Sequence, residues 1–189
     1  MSRRYEMRFA GSGGQGVILA SVILAETAVI SGINAVQSQA YGPEARGGVS
    51  KAETILSKEY IWYSKVTRPN FLLALTQASL DKYSRELAEQ AVVMIDDSLT
   101  VPGWLSAEQI ISVPILATAK EKVGKAFTAN IVAVGAINKA LGLFDLESLT
   151  EGVKRHIPAG TEEINQRALE EGAKLITDEQ AKAFAQDIG

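Results

Sequence analysis

"FAGSGGQGVILA", Phe9 to Ala20, decides how the rest of the chain is read. Phe9 and Ala10 close a short run that begins at Tyr5, glycines fill the middle, and Val17 opens a long apolar segment. The stretch therefore reads as strand, turn and helix. Gly11, Gly13 and Gly16 fall at G-x-G-x-x-G spacing. Glycine lets a backbone turn tightly and come close to a ligand. The exposed N–H groups of a helix N-terminus carry roughly half a positive charge. Gly11, Gly13, Gly14, Gln15 and Gly16 are thus a candidate cradle for a phosphate or carboxylate. The same glycines would also let the first helix pack tightly on the first strand.

The neighbours of this loop test two nucleotide readings. A P-loop needs G-x-x-x-x-G-K-[ST]. Gly11 and Gly16 have that separation, but Val17 and Ile18 follow, so no Lys or hydroxyl is placed for terminal phosphates and magnesium. An NAD site wants an acid at the end of the second strand, about twenty residues on. Gln37, Ser38 and Gln39 stand there, the first acid is Glu44, and Arg46 is equally late for NADP. A stand-alone nicotinamide-dependent dehydrogenase is disfavoured on these grounds.

Outward from the loop, strand and helix patterns alternate. Tyr5–Ala10 is a strand and Gln15–Ser31 a helix with Gly32 as its stop signal. Ile33–Ser38 is a second strand, Gln39–Gly48 a loop, Val49–Ser57 a third strand, and Glu59–Lys65 a further strand or edge. Phe71–Leu75 is a continuous apolar run, as in a strand covered on both faces. Gln77–Glu89 reads as helix, Ala91–Ile95 and Ile110–Val113 as strands. Helices are then predicted over Ala117–Val123, Thr128–Ala140, Leu146–His156 and Glu162–Ile176, the last capped by Thr161, with Glu162 and Glu163 near its positive end. This rhythm predicts a three-layer α/β/α sandwich with a Rossmann-like, mainly parallel sheet. It forms one domain over residues 1–189: a sheet core to residue 125, then a helical part. Val17–Ile30 and Thr128–Ala140 are apolar nearly all round. Such helices are buried on more than one side, within their own domain or against another chain.

Composition narrows the chemistry. The 189 residues include no cysteine, which excludes disulfides, thiolate nucleophiles and Cys-ligated zinc or iron–sulfur clusters in this chain. The net charge is −3, and the 19 Lys and Arg are scattered without a basic block, against nucleic acid as a partner. The N-terminus lacks the apolar core of a secretion signal. Val17–Ile30 is too short and too interrupted by Ser21, Glu26 and Thr27 to span a bilayer. A soluble cytoplasmic protein without a membrane partner is expected. Its one histidine, His156, reads as a residue near a helix end rather than a base. Asp96 and Asp97 follow a strand end, as functional groups, a turn or a cap. No catalytic residue and no metal ligand is assigned.

"QSQAYGPEARGGVSKAE", Gln37 to Glu53, is the second informative stretch. Tyr41, Gly42, Pro43, Glu44, Arg46 and Gly47 crowd into one tight loop following strand two, close to the first loop if both lie on one sheet edge. Arg46 would offer a planar, always charged fork to a phosphate or carboxylate. A local Glu44–Arg46 pair on a solvated loop is the plain alternative, worth under about 1 kcal/mol.

"GSGGQGVILA", "NAVQSQAYGPEARGG" and "SKAE", with "NFLLALTQASLDKY", "VVMIDDSL" and "FTANIVAVGAI", closely resemble the gamma subunit of 2-oxoacid:ferredoxin oxidoreductases over most of the chain. The "QSQAYGPEARGG" form looks most like the 2-oxoglutarate branch; pyruvate, branched-chain and indolepyruvate types are the alternatives. The resemblance implies an enzyme that oxidatively decarboxylates a 2-oxoacid, joins the acyl group to coenzyme A and passes electrons to ferredoxin. It implies that this chain is a non-catalytic subunit shaping the coenzyme A side. Its partners would be alpha and beta subunits, with a delta or ferredoxin-like subunit as a further candidate. Thiamine diphosphate, Mg2+ and iron–sulfur clusters would sit in those partners, with no cofactor held by this chain alone. A purely structural subunit whose loops only dock partners is the remaining reading.

Overall fold

The structure, a computed structural model, describes residues 4–39 and 49–187. Its six strands are β1 (Arg4–Ser12), β2 (Asn34–Gln39), β3 (Val49–Ser57), β4 (Phe71–Ala74), β5 (Val92–Asp96) and β6 (Ile110–Val113). They form one sheet in the order β2-β3-β1-β4-β5-β6. β1, β4, β5 and β6 are mutually parallel, while β3 is antiparallel to both β1 and β2. Five strands therefore share one direction and β3 alone opposes them. The helix between β1 and β2 carries the chain past one sheet position, which β3, antiparallel to β2, fills.

That helix, α1 (Val17–Ile30), covers one sheet face. Met7, Phe9, Phe71, Leu73 and Met94 point to it and join Ile23 and Leu24 in the main core. The opposite face carries α2 (Gln77–Tyr83) and the segment after it, where Leu80, Tyr83 and Leu87 pack on Ala10, Leu72, Val93 and Ile95. The sandwich is thus three-layered but uneven. α3 (Ile115–Ala117) runs into a wider turn over Thr118–Val123 and is followed by α4 (Ala129–Leu141), α5 (Leu146–Lys154), α6 (Glu162–Ala173) and α7 (Asp178–Asp187). α4 packs on α1, α6 and α7, and α5 packs on α1. Residues of α4, α5, α6 and α7 all enter the main core with α1. The apolar surfaces of α1 and α4 are therefore covered largely from within the chain.

The polar residues that interrupt α1 each tie it to a neighbour. Buried Ser21 is reached by Thr54 Oγ1 of β3, which donates to its carbonyl at 3.0 Å, and by Gln37 Nε2 of β2 at 3.1 Å. Glu26 accepts from Arg155 just past α5 at 2.7 Å. Thr27 donates to the Ile23 carbonyl and stands against Gly152 of α5, where a Cβ would meet its Oγ1 at 2.1 Å. α4 and α6 touch backbone to backbone. A Cβ on Gly135 would lie 2.2 Å from the Leu169 carbonyl oxygen, and one on Gly172 2.0 Å from that of Val132.

Several sequence expectations are corrected. Glu59–Lys65 forms no strand, and Tyr60, Trp62 and Tyr63 are exposed. Asn34 Nδ2 holds the carbonyls of Lys58 and Glu59, and Ser57 Oγ accepts from the Glu59 N–H, so this chain turns away from the sheet. α2 ends six residues earlier than the predicted Glu89 (89 − 83) because the chain after Tyr83 turns to bring Glu86 onto Arg8. Thr161 precedes α6 but gives it no side-chain cap; its hydroxyl donates to the Pro158 carbonyl. α7 lies beyond the last predicted helix. Thr177 and Gln180 close a reciprocal cap at its start, at 3.0 and 3.1 Å, and "TDEQ" spells that box in the sequence. Among the described residues, no helix is long and apolar enough to cross a membrane.

Candidate anion site at the glycine loop

The loop sits where the strand order reverses. From β1 the chain leaves along α1 on one face, and from β4 along α2 on the other. In open α/β sheets, ligands bind in the crevice outside the carboxyl ends of the strands at such a point. Gln15 spans it: Oε1 accepts from the Ser12 N–H at 2.7 Å, and Nε2 donates to the Leu75 carbonyl, just past β4, at 3.3 Å. Gly11 is the last but one residue of β1, paired with Ser50. A Cβ there would meet Gln15 Oε1 at 2.5 Å, so Gly11 makes room for that bridge.

The remaining loop residues carry the donors. The Gln15 N–H is used in the turn, on the Ser12 carbonyl at 3.3 Å. Among the described residues, the N–H groups of Gly13, Gly14 and Gly16 meet no backbone acceptor. Gly16 is the N-cap of α1, with φ +71°, no side-chain cap and no acid in the first turn of the helix. The α1 N-terminus therefore presents its partial positive charge with no counter-charge in its own first turn. The α2 N-terminus differs, because Thr76 and Ser79 cap each other there.

A residue that sequence reasoning left without a role completes this edge. Asn130, in the first turn of α4, lies against Gly16: a Cβ on Gly16 would fall 2.7 Å from Asn130 Nδ2 and 2.8 Å from Cγ. Asn130 is 4% exposed, and its Oδ1 is enclosed without a hydrogen-bond partner. α4, like α1, has no acid in its first turn and no side-chain cap. A single amide in the otherwise apolar run "IVAVGAI" and its approach "FTAN" is the sequence signal that could have marked it.

The second loop begins and ends at the same edge. β2 ends at Gln39, and β3 begins at Val49, which pairs with Ser12. Tyr41, Gly42, Pro43, Glu44, Arg46 and Gly47 lie outside the described residues. Where an NAD-binding acid would stand, Gln37 is turned onto Ser21.

The other candidates are structural. Buried Asp96 accepts from the Ser98 N–H and hydroxyl and from the Leu116 N–H at 2.8 Å, so it ties the end of β5 to the start of α3; Asp97 is exposed. His156 follows α5, with its Nε2 enclosed and unpartnered. Among the described residues, no three His, Cys, Asp or Glu groups gather to hold a metal ion. The chemistry these described residues offer is hydrogen-bond donation from backbone N–H groups at the N-terminus of α1.

Comparison with known proteins identifies the fold and the family. The family model described as pyruvate ferredoxin/flavodoxin oxidoreductase matches residues 6–175. A 2-oxoglutarate synthase subunit KorC from Methanothermobacter marburgensis is 40% identical over 184 residues, covering 94% of this chain and 99% of the relative. The crystal structure of a keto/oxoacid ferredoxin oxidoreductase gamma subunit from Geobacter sulfurreducens superposes with a TM-score of 0.79 at 43% identity, over 90% of this chain and 96% of that one. A 2-oxoglutarate:ferredoxin oxidoreductase from Magnetococcus marinus shares the fold, with a TM-score of 0.74 at 20% identity, over 98% of this chain but 32% of its own longer chain.

Proposed function

The chain belongs to the pyruvate ferredoxin/flavodoxin oxidoreductase family, and we propose that it serves as the gamma subunit of a 2-oxoglutarate:ferredoxin oxidoreductase. The observation that carries this reading is the near end-to-end match to a 2-oxoglutarate synthase subunit, 94% of one chain on 99% of the other. The enzyme would convert 2-oxoglutarate, coenzyme A and oxidised ferredoxin to succinyl-CoA, CO2 and reduced ferredoxin. In this reading the chain is assigned no acid, base or nucleophile in that reaction. It has no cysteine to ligate an iron–sulfur cluster, and the clusters, thiamine diphosphate and Mg2+ are assigned to alpha and beta subunits, with a delta or ferredoxin-like subunit as a further candidate.

Its contribution is to bind and orient. The N–H groups of Gly13, Gly14 and Gly16, backed by the α1 dipole, face the anionic part of coenzyme A. Arg46, in a loop with Tyr41, Gly42, Pro43, Glu44 and Gly47, adds a fixed positive charge. Gly11 and Gln15 hold the loop in shape.

The test is purification of the native complex followed by assay. The chain is expected to travel with brown, thiamine-binding subunits, and the complex to reduce ferredoxin only when 2-oxoglutarate and coenzyme A are both present. Preference for pyruvate, a branched-chain 2-oxoacid or indolepyruvate would move the chain to another branch. Recovery as a colourless monomer without partners would overturn the subunit reading. Arg46→Ala in the assembled complex is expected to raise the KM for coenzyme A; failure to assemble would place Arg46 at a subunit interface instead.

A further inference from the structure

Tyr60, Trp62 and Tyr63 are 67%, 88% and 61% exposed. The Tyr60 and Trp62 rings meet edge to face, with 4.6 Å between centroids. The backbone that carries them is held in place: Asn34 Nδ2 donates to the Lys58 and Glu59 carbonyls, and Arg4 Nη2 to the Tyr63 carbonyl at 3.3 Å. Beside them, Val29, Ile33, Ala35, Val36, Tyr60 and Ile61 line a groove of about 480 Å³. The groove follows the start of β2, which forms one edge of the sheet and pairs only with β3 among the described residues. β2 reads "NAVQSQ", six residues with no charge and no proline, the devices that usually keep an edge from pairing. The opposite edge, β6, is protected by being only four residues long. Asn34 and Arg4 both pair with Ser57, so this surface lies at the Arg4 end of β1. The glycine loop leaves the Ser12 end, roughly 25 Å away along the strand.

We propose that β2 and the Tyr60–Tyr63 segment dock a companion subunit of the oxidoreductase, one that lays an extended apolar segment along β2 and sets carboxylates against the rim. This rests on the functional reading above, in which the chain works within an assembly. An open strand edge accepts another extended backbone, and an adjacent groove takes its alternate side chains. Tyr and Trp on a held backbone are the usual anchors of an interface. At roughly 150–250 Å² each, the three aromatics supply on the order of 400 Å² of exposed area, about half of what one partner gives to a stable interface. Charge selects the occupant. Residues 58–68 carry three cations, Lys58, Lys65 and Arg68, against one acid, Glu59, in a chain of net charge −3. A second copy would bring the same cations to the rim, whereas an acidic surface complements them.

The experiment follows dissociation of the native complex on dilution by native mass spectrometry. It compares wild type, Tyr60→Ser with Trp62→Ser, and Lys58→Glu with Lys65→Glu. The aromatic pair of substitutions is expected to raise the concentration of half-dissociation at least about 10-fold. It should leave unchanged both the melting temperature of the full chain by itself and the KM for coenzyme A of the complex that remains. The charge reversal should weaken assembly as well, by a factor that shrinks as salt rises. In wild type, hydrogen exchange over residues 34–38 and 58–65 should be slower in the complex than in the full chain alone. Half-dissociation of the aromatic variant at the wild-type concentration overturns the proposal, and a lowered melting temperature of that variant alone does so by making the aromatics structural. A dimer of the full chain that is lost in the aromatic variant while companion subunits still bind overturns it too, because a second copy is then the occupant. Recovery of the wild-type chain without companion subunits would instead overturn the functional reading, and this inference with it.

Discussion

Arg8 is a charged side chain in the middle of β1, 3% exposed. Its Nε donates to Glu53 Oε1 of β3 at 2.8 Å, its Nη1 to Glu86 Oε2 at 2.8 Å, and its guanidinium stands 5.2 Å from the centre of the Tyr83 ring. A strict period-2 reading of "YEMRFA" puts Met7 inward and Arg8 toward water. The structure buries both faces, because the chain after α2 folds over Arg8. Removing one partner leaves a buried charge uncompensated, which costs about 3–5 kcal/mol, whereas an apolar pair of similar volume is often neutral. Lys51 Nζ still faces Glu53 Oε1 at 3.4 Å when Arg8 is removed, so Arg8→Met should lower unfolding stability by about 3 kcal/mol, the low end of that range, in urea titrations. Arg8→Met combined with Glu53→Leu should recover most of that loss, and additive losses would show that the pair is not the unit of stability. Gly16 was legible as a turn glycine, but its contact with Asn130 joins residues more than a hundred positions apart, and spacing carries no such information.

α4 and α6 pack at glycines, and their separation is set by Gly135 and Gly172. Overpacking such a contact costs typically 1–3 kcal/mol. Gly135→Ala should destabilise by about 2 kcal/mol despite its higher helix propensity, and adding Gly172→Ala should cost less than a second full increment, since both strain one contact. Chemical denaturation of the two single variants and the double variant checks this. α5 begins at a different device. Asp145 accepts from the Ser148 N–H at 2.8 Å and from its hydroxyl at 2.9 Å. The backbone hydrogen bond, then the side-chain one, holds the Asp145 carboxyl below its ordinary value. A lowered folded-state pKa gives stability that is present above the unfolded value, roughly 4, and is lost as pH falls through the folded value. Asp145→Asn should keep the cap near neutral pH and flatten this part of the acid limb in melts from pH 6 down to pH 2. An acid limb identical to wild type would assign the linkage to other carboxylates.

At the scale of the molecule, the antiparallel β3 argues against a dinucleotide on the first loop. A dinucleotide fold places strand two beside strand one, so its terminal acid reaches the ribose of a nucleotide on the first loop. Here β3 occupies that position and β2 lies two strand spacings from β1, roughly 10 Å away. The missing acid at Gln37 and the displaced strand agree. Calorimetric titration with NADH or NADPH should show no saturable binding, and micromolar affinity for either would overturn this exclusion of a dinucleotide.

Local physics, written in the sequence, determined the strand–glycine–helix opening, the apolar cores of β4 and β5, the two all-round apolar helices and the exclusion of cluster and thiol chemistry. Each of these follows from residue type and short-range periodicity. Only the tertiary structure decided that β3 runs against its neighbours, that α1 and α4 bury their apolar surfaces largely within the chain, and that Asn130 meets Gly16. Those outcomes depend on which distant segments share a face, and hydrophobic pattern ranks faces without naming their partners. The glycine loop was visible from its spacing; the edge it completes was fixed by how α4 packs beside α1.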